Sequence, residues 1–165
     1  FMDGSERLYE FANASPALLL QPISEVNDPR VIGSEPNFVA INSAVEVDLT
    51  GQINAESIGG HLISGSGGLL DFAIGAALSR GGKFIIAMPS TAQGGELSRI
   101  VPRMASGAAV TVPRTLAHYV ITEYGIADLR GCTLRDRARH LIAIAHPKFR
   151  GHLADAAGLS SNDMA

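Results

Sequence analysis

The chain has 165 residues, a formal charge of −3, 46% hydrophobic residues and 18% charged ones. That length suits one domain with a single sizeable core, and so small a charge argues against a polyanionic partner such as nucleic acid. The single cysteine, Cys132, excludes an internal disulfide and any cysteine-only metal cluster.

Eighteen glycines, few aromatics and no tryptophan favour a loop-rich α/β domain over a sandwich that needs bulky cross-strand filling. No apolar run reaches membrane-spanning length, and the opening FMDGSERLYEF lacks a basic stretch followed by an apolar one. A cytoplasmic location without membrane contact is expected. With Phe1 standing before Met2, the chain is expected to be a fragment of a longer polypeptide.

In chain order, Ser5 is placed to cap a short helix over Glu6–Asn13, with Leu8 and Phe11 on one face and a stop near Pro16. The proline-rich run Leu18–Pro36 reads as ordered loop with a strand around Pro22–Val26. Phe38–Leu49 is the first convincing strand region, with Ala44, Glu46 and Asp48 alternating with Val45, Val47 and Leu49. A turn at Thr50 and Gly51 then opens a partner strand at Gln52 and Ile53.

The loop Ser64–Gly68, SGSGG, precedes a helix predicted from about Asp71 through Arg80, whose small face is Gly75, Ala76 and Ala77. Gly81 and Gly82 end it, and Phe84–Met88 has the continuous apolar character of a central strand. Beyond the loop Pro89–Gly95, strands are expected at Ile100–Met104, Ala108–Val112 and Tyr119–Thr122. Thr133 caps a helix from Leu134 to about Ala145, stopped by Pro147. A short amphipathic helix near Phe149–Ala157 leads into a frayed tail, LSSNDMA.

Several groups are candidates for chemistry. The glycine loop offers consecutive amide protons to a phosphate, a carboxylate or a developing oxyanion, and it serves equally as a plain β–α connection. Lys83 follows two glycines and suits an anionic or carbonyl group near the sheet edge, or simply faces solvent. Arg99 and Arg103 share a helical face or divide between a turn and a strand. Arg114, Arg130, Arg135, Arg137 and Arg139 read as salt-bridging surface groups. Glu46 and Asp48 point to one side of a strand, as an acid–base pair or as its wet face. The five histidines, at positions 61, 118, 140, 146 and 152, lack zinc-site spacing, so no metal is expected. No nucleophile elbow or Cys–His signature is present.

Taken together, LYEF at 8–11, VNDPRVI at 26–32, INSAVEVDLTGQINAESIG at 41–59 and SGSGGLLDFAIGAALSRGGKFIIAMPSTA at 64–92 form a signature. SRIVP at 98–102, VITEYGIADLRG at 120–131 and LIAIAHPKFR at 141–150 extend it over nearly the whole chain. This pattern closely resembles the C-terminal domain of the acetyl-CoA hydrolase/transferase family, which includes 4-hydroxybutyrate and succinyl-CoA:acetate CoA-transferases. The resemblance implies a class I CoA-transferase-like α/β domain spanning residues 1–165, with a mostly parallel sheet flanked by helices.

The resemblance further implies coenzyme A or acyl-CoA as substrate, a small carboxylate as acceptor and a homo-oligomeric assembly. It also implies an N-terminal domain of the same enzyme as partner, carrying a glutamate that forms a glutamyl-CoA thioester. No residue here matches that glutamate, so the isolated chain is expected to be inactive. The family's CoA-contacting positions fall on Asn42, Gly65, Gly67, Gly68 and Lys83, with the Gly65 amide as the oxyanion donor. Where many members carry glutamine, this chain has Leu69, a change in acyl-pocket polarity or in helix packing. An acetyl-CoA hydrolase and a noncatalytic CoA- or nucleotide-binding module are the alternatives.

Overall fold

The structure, a computed structural model, describes residues 4–13 and 15–160. In the first part of the chain the helices are α1 (Glu6–Ala12), α2 (Ile23–Val26) and α3 (Pro29–Ser34), followed by strands β1 (Val39–Asn42), β2 (Glu46–Asp48), β3 (Ile53–Asn54), β4 (Ser57–Ile58) and β5 (His61–Leu62). Next come helix α4 (Leu69–Leu78), strand β6 (Lys83–Ala87), a small hairpin of β7 (Thr91–Ala92) and β8 (Leu97–Ser98), and strand β9 (Ile100–Val101). Strands β10 (Tyr119–Thr122) and β11 (Gly125–Asp128) and helices α5 (Leu134–Ala143) and α6 (Pro147–Ala157) complete the described chain.

The apolar run after Gly82 becomes the centre of the fold, as its composition predicts. Strand β6 lies between β1 and β10 in a four-stranded sheet ordered β1-β6-β10-β11. Both neighbours of β6 run parallel to it, and β11 closes the sheet as an antiparallel edge on β10. A second sheet, β3-β2-β9, holds Val47 between Ile53 and Ile100, all fully buried. The expected α/β class, mostly parallel with flanking helices, is the observed one.

Alternation along the strands puts Ala40, Phe84, Ile86, Val120 and Ala127 into one core with Ala73 and Ala76 of α4, Leu141 and Ile142 of α5, and Leu153 of α6. Fully burying a side chain of the Phe84 or Leu141 kind contributes about 1.5–3 kcal/mol. Gly75 lets Ile32 of α3 lie against α4, where a Cβ would collide with that isoleucine. Ala76 completes the contact face, whereas Ala77 is exposed. Ser79 then ties the helix end to the chain entering β1, donating to the Glu35 carbonyl at 2.6 Å and accepting from the Phe38 amide at 3.1 Å.

Several expected elements differ. Pro22–Val26 forms the turn of α2 rather than a strand, because Pro22 is compatible with the residue just ahead of a helix. The supposed loop after it contains α3, capped by the Asp28 side chain with Pro29 in the first turn. Phe38–Leu49 divides at Asn42 into strands of two different sheets, since β1 pairs with β6 while β2 pairs with β9. Ala108–Val112 forms no strand and keeps only an antiparallel bridge from Val112 to Ile53. The hairpin strand β11 was not expected; Glu123 and Tyr124 make its turn from β10, and Gly125 (φ 143°) opens the strand. Helix α4 starts at Leu69, two residues ahead of Asp71, and Pro147 opens α6 rather than directly ending α5. The frayed tail lies largely outside the described residues, at positions 161–165. Among the described residues no helix is long and apolar enough to cross a membrane.

Thr133 does cap α5, accepting from the Asp136 amide at 3.2 Å and donating to the Asp136 carboxylate at 2.6 Å. Thr133→Ala is expected to lower stability by about 1 kcal/mol, read as a shift in the urea unfolding midpoint at constant slope.

Candidate functional site

Two sequence-distant pieces meet at the carboxyl end of β1. Asn42 is the last residue of that strand, Leu69 is the first of α4, and the glycine loop delivers one to the other after the β2–β5 excursion. Asn42, Gly67, Gly68, Leu69 and Phe72 line a cleft of about 670 Å³ whose other wall is Gln21, Ile23, Val26 and Asn27. This is where open parallel sheets place ligands, at the carboxyl ends of their strands.

The loop is solvent-facing from Ser64 through Gly67, and Gly68 is half-buried. The Ser64 amide is spent on the Glu56 carbonyl and the Leu69 amide on the Ser66 carbonyl. Among the described residues, no acceptor takes the amides of Gly65, Ser66, Gly67 or Gly68. Four consecutive unspent donors therefore lead into the amino end of a ten-residue helix, whose own dipole adds partial positive charge. Gly67 adopts φ +55°, a left-handed torsion that a Cβ would strain. Gly68 has Asn27 packed where a Cβ would stand, while the space beside Gly65 is open. Leu69 is buried in the core with only 6% exposure, so the leucine fills packing space as well as lining the cleft.

Lys83 does not join this group. It pairs with Val39 at the amino edge of the sheet, whereas Asn42 pairs with Ile86 at the other edge, three residues or about 10 Å further along. By alternation Lys83 also points to the sheet face opposite Asn42. The order loop–helix–lysine dictates this, because a helix linking two parallel strands returns the chain to the starting edge. Lys83 is therefore remote from the glycine loop, although the resemblance groups both among the CoA-contacting positions. Its electrostatic neighbour is His118, whose imidazole is held below its ordinary pKa first by burial and then by Arg130.

Other candidates resolve into structural work. Asp48 is buried, not on a wet face; it accepts from the Thr50 amide and hydroxyl and from the Gln52 amide and side chain, at 2.7–3.0 Å. Glu46 accepts from Asn54 at 3.0 Å. Arg99 and Arg103 share no helix: Arg99 donates to the Ala44 carbonyl, and its Nε is buried without a partner. Arg137 donates to the carbonyls of Arg114 and Thr50 rather than to a carboxylate, whereas Arg139 faces Asp136 at 3.8 Å. Cys132 is part-exposed at the turn into α5. Among the described residues no cluster of His, Cys, Asp or Glu is arranged to hold a metal.

One pair at the same sheet edge escaped notice in the sequence. Ser90, just past β6, donates its hydroxyl to Glu123 at 2.6 Å and its amide at 2.8 Å. Glu123 follows β10 directly, and the donations from Ser90, the hydroxyl foremost, hold its carboxyl below the ordinary range. The only signal available was the TEYG run, in which a glutamate directly precedes a hairpin turn. A depressed carboxyl contributes stability above its unfolded pKa and loses it as pH falls through the lowered folded value. Ser90→Ala is expected to return the Glu123 titration toward the usual carboxylate range, followed by NMR of its side-chain carboxyl carbon. An unmoved midpoint removes the hydroxyl as the cause.

Against known proteins, the family model for the acetyl-CoA hydrolase/transferase C-terminal domain matches residues 4–157. The 4-hydroxybutyrate coenzyme A transferase of Clostridium kluyveri is 55% identical over 153 residues, covering 93% of this chain and 36% of the relative. The succinyl-CoA:cyclohexane-1-carboxylate CoA transferase of Geobacter metallireducens is 50% identical, covering 95% of this chain and 36% of the relative. The solved structure of RipA from Yersinia pestis superposes with a TM-score of 0.87 at 46% identity, over 94% of this chain and 35% of that one. The chain thus spans about a third of the length of these proteins.

Proposed function

Because the chain belongs to the acetyl-CoA hydrolase/transferase C-terminal domain family, we propose that it is the coenzyme-facing part of an enzyme that moves CoA between an acyl-CoA thioester and a carboxylate such as acetate. The observation that carries this reading is the run of four unspent amides, Gly65–Gly68, leading into the head of α4, its last two residues lining the cleft with Asn42. The rest of the enzyme supplies the attacking glutamate, and with it the second wall of the active site.

In the proposed reaction the glutamate carboxylate adds to the thioester carbonyl and expels the CoA thiolate, leaving an acyl–glutamyl anhydride. The thiolate then attacks the glutamyl carbonyl, releasing the first carboxylate and forming the glutamyl-CoA thioester. An acceptor carboxylate reverses the sequence and leaves as the new acyl-CoA. Each addition places negative charge on a former carbonyl oxygen. Amides already oriented by their loop stabilise that charge with little reorganisation. Gly65 is assigned as the donor, since its open side leaves room for a substrate carbonyl, and Asn42, Gly67 and Gly68 hold the adjoining part of the coenzyme. Hydrolysis differs only in water replacing the acceptor.

Gly65→Val in the full-length enzyme is expected to lower turnover at least about tenfold in an acyl-CoA:acetate transfer assay, with the melting temperature little changed. The separation is physical: nothing packs within 4 Å of the position the new Cβ would take, and Gly65 lies outside the left-handed region. Unaltered turnover would remove the loop from the chemistry. The isolated chain is expected to bind CoA weakly in calorimetry and to show no transfer; turnover by it alone contradicts the assignment of the nucleophile elsewhere.

A further inference from the structure

A second cleft opens at the end of the smaller sheet. Strands β2 and β9 run parallel, and the chain leaves them through Leu49–Thr50 and Pro102–Arg103. Those residues form one wall of a cleft of about 360 Å³, whose other wall is the start of α5 and the end of α6. Carboxyl ends of parallel strands are where open sheets take ligands. None of the residues lining this cleft lines the one beside Asn42. Its floor is hydrocarbon, with Leu49, Ala138 and Leu159 all buried, and Leu134 stands exposed at the rim.

The polar part of the lining is cationic. Arg103 borders the cleft and makes no hydrogen bond or ion pair with any described residue. Arg135 borders it too. Behind Thr50 stand two more guanidinium groups. Arg137 donates from Nη1 to the Thr50 and Arg114 carbonyls at 3.3 and 2.6 Å, and Arg114 reaches the Thr50 hydroxyl at 3.5 Å. No carboxylate lines the cleft to offset this charge. Asp48 is enclosed by the donors of its own turn, and Asp136 is turned to the Thr133 hydroxyl and Arg139. An uncommitted arginine over an apolar floor, with no acid in the lining, suits an anionic head carrying a hydrocarbon tail. Inorganic phosphate would leave the floor unfilled, and a cation would meet like charge.

We propose that this cleft binds a carboxylate with an unbranched alkyl tail, Arg103 taking the head and Leu49, Ala138 and Leu159 the tail. The site is separate from the cleft at Asn42 and stands whether or not that cleft handles CoA. A guanidinium presents paired donors matched to the two oxygens of a carboxylate. Each methylene laid on the floor tightens binding about threefold to fourfold until the space is filled. Tail length therefore sorts the ligands of this site, and acetate has too little of it to be held.

Methyl NMR of the full-length enzyme tests this, with hexanoate as the probe. The Leu134 and Leu159 methyls are expected to shift saturably, with half-saturation at least about tenfold lower than for acetate. Hexylamine, which has the same tail and a cationic head, is expected to leave them unmoved. The Leu69 methyls border the other cleft and report separately any hexanoate held there. Arg103→Glu is expected to weaken the response at Leu159 at least about tenfold. The response at Leu69 and the melting temperature stay as they were, because Arg103 is exposed and ties nothing together. Arg103→Gln, which only removes the charge, weakens binding in the same direction. Methyls at Leu134 and Leu159 that ignore hexanoate or shift without saturating overturn the proposal. An equal response to hexylamine, or unaltered affinity in both Arg103 variants, overturns it as well.

Discussion

The packing of α4 against β1 and β6 is the constraint from which the rest of the molecule follows. It requires small residues where the helix meets its neighbours, and Gly75 beside Ile32 with Ala73 and Ala76 in the core meet that need. Once the helix lies there, its first residue must sit at the carboxyl edge of the sheet, within reach of Asn42. Its last must sit at the amino edge, where Ser79 fastens it to the chain entering β1. Position of the amide-rich loop is thus a by-product of core packing, and the site inherits the rigidity of the core.

Polar groups around the sheet divide according to what they are spent on. Asp48 is saturated by its own turn, and Arg137 commits its Nη1 to two carbonyls. Ser90 and Glu123 satisfy each other and brace the ends of β6 and β10. The loop amides are the contrast: donors at the surface with no internal acceptor, gathered on one helix end. Preorganised donors of that kind favour an oxygen that gains charge during reaction over one that carries it throughout.

Much of this was legible in the sequence where local rules decide. Glycines at 81 and 82, the apolar run after Lys83 and the Thr133 cap all act within a few residues, and each element formed where they indicated. Errors arose where partners are distant. Nothing local in FVAINSAVEVDL reveals that Asn42 ends one sheet and Glu46 begins another, because the choice is made by β6 and β9. Ala108–Val112 has strand composition but finds only Ile53 to pair with. Motif resemblance grouped the glycine loop with Asn42, and Gly67 and Gly68 line one cleft with it, while Gly65 lies outside that lining. Lys83 was misplaced relative to them because spacing along a chain ignores the direction in which a crossover helix carries it.

That same crossing has a consequence for the shape of anything the protein grips at both places. Asn42 and Lys83 look out from opposite sides of one sheet and from opposite ends of its strands. A rigid, compact molecule cannot touch both. A long, jointed one reaches both only by passing round the border of the sheet.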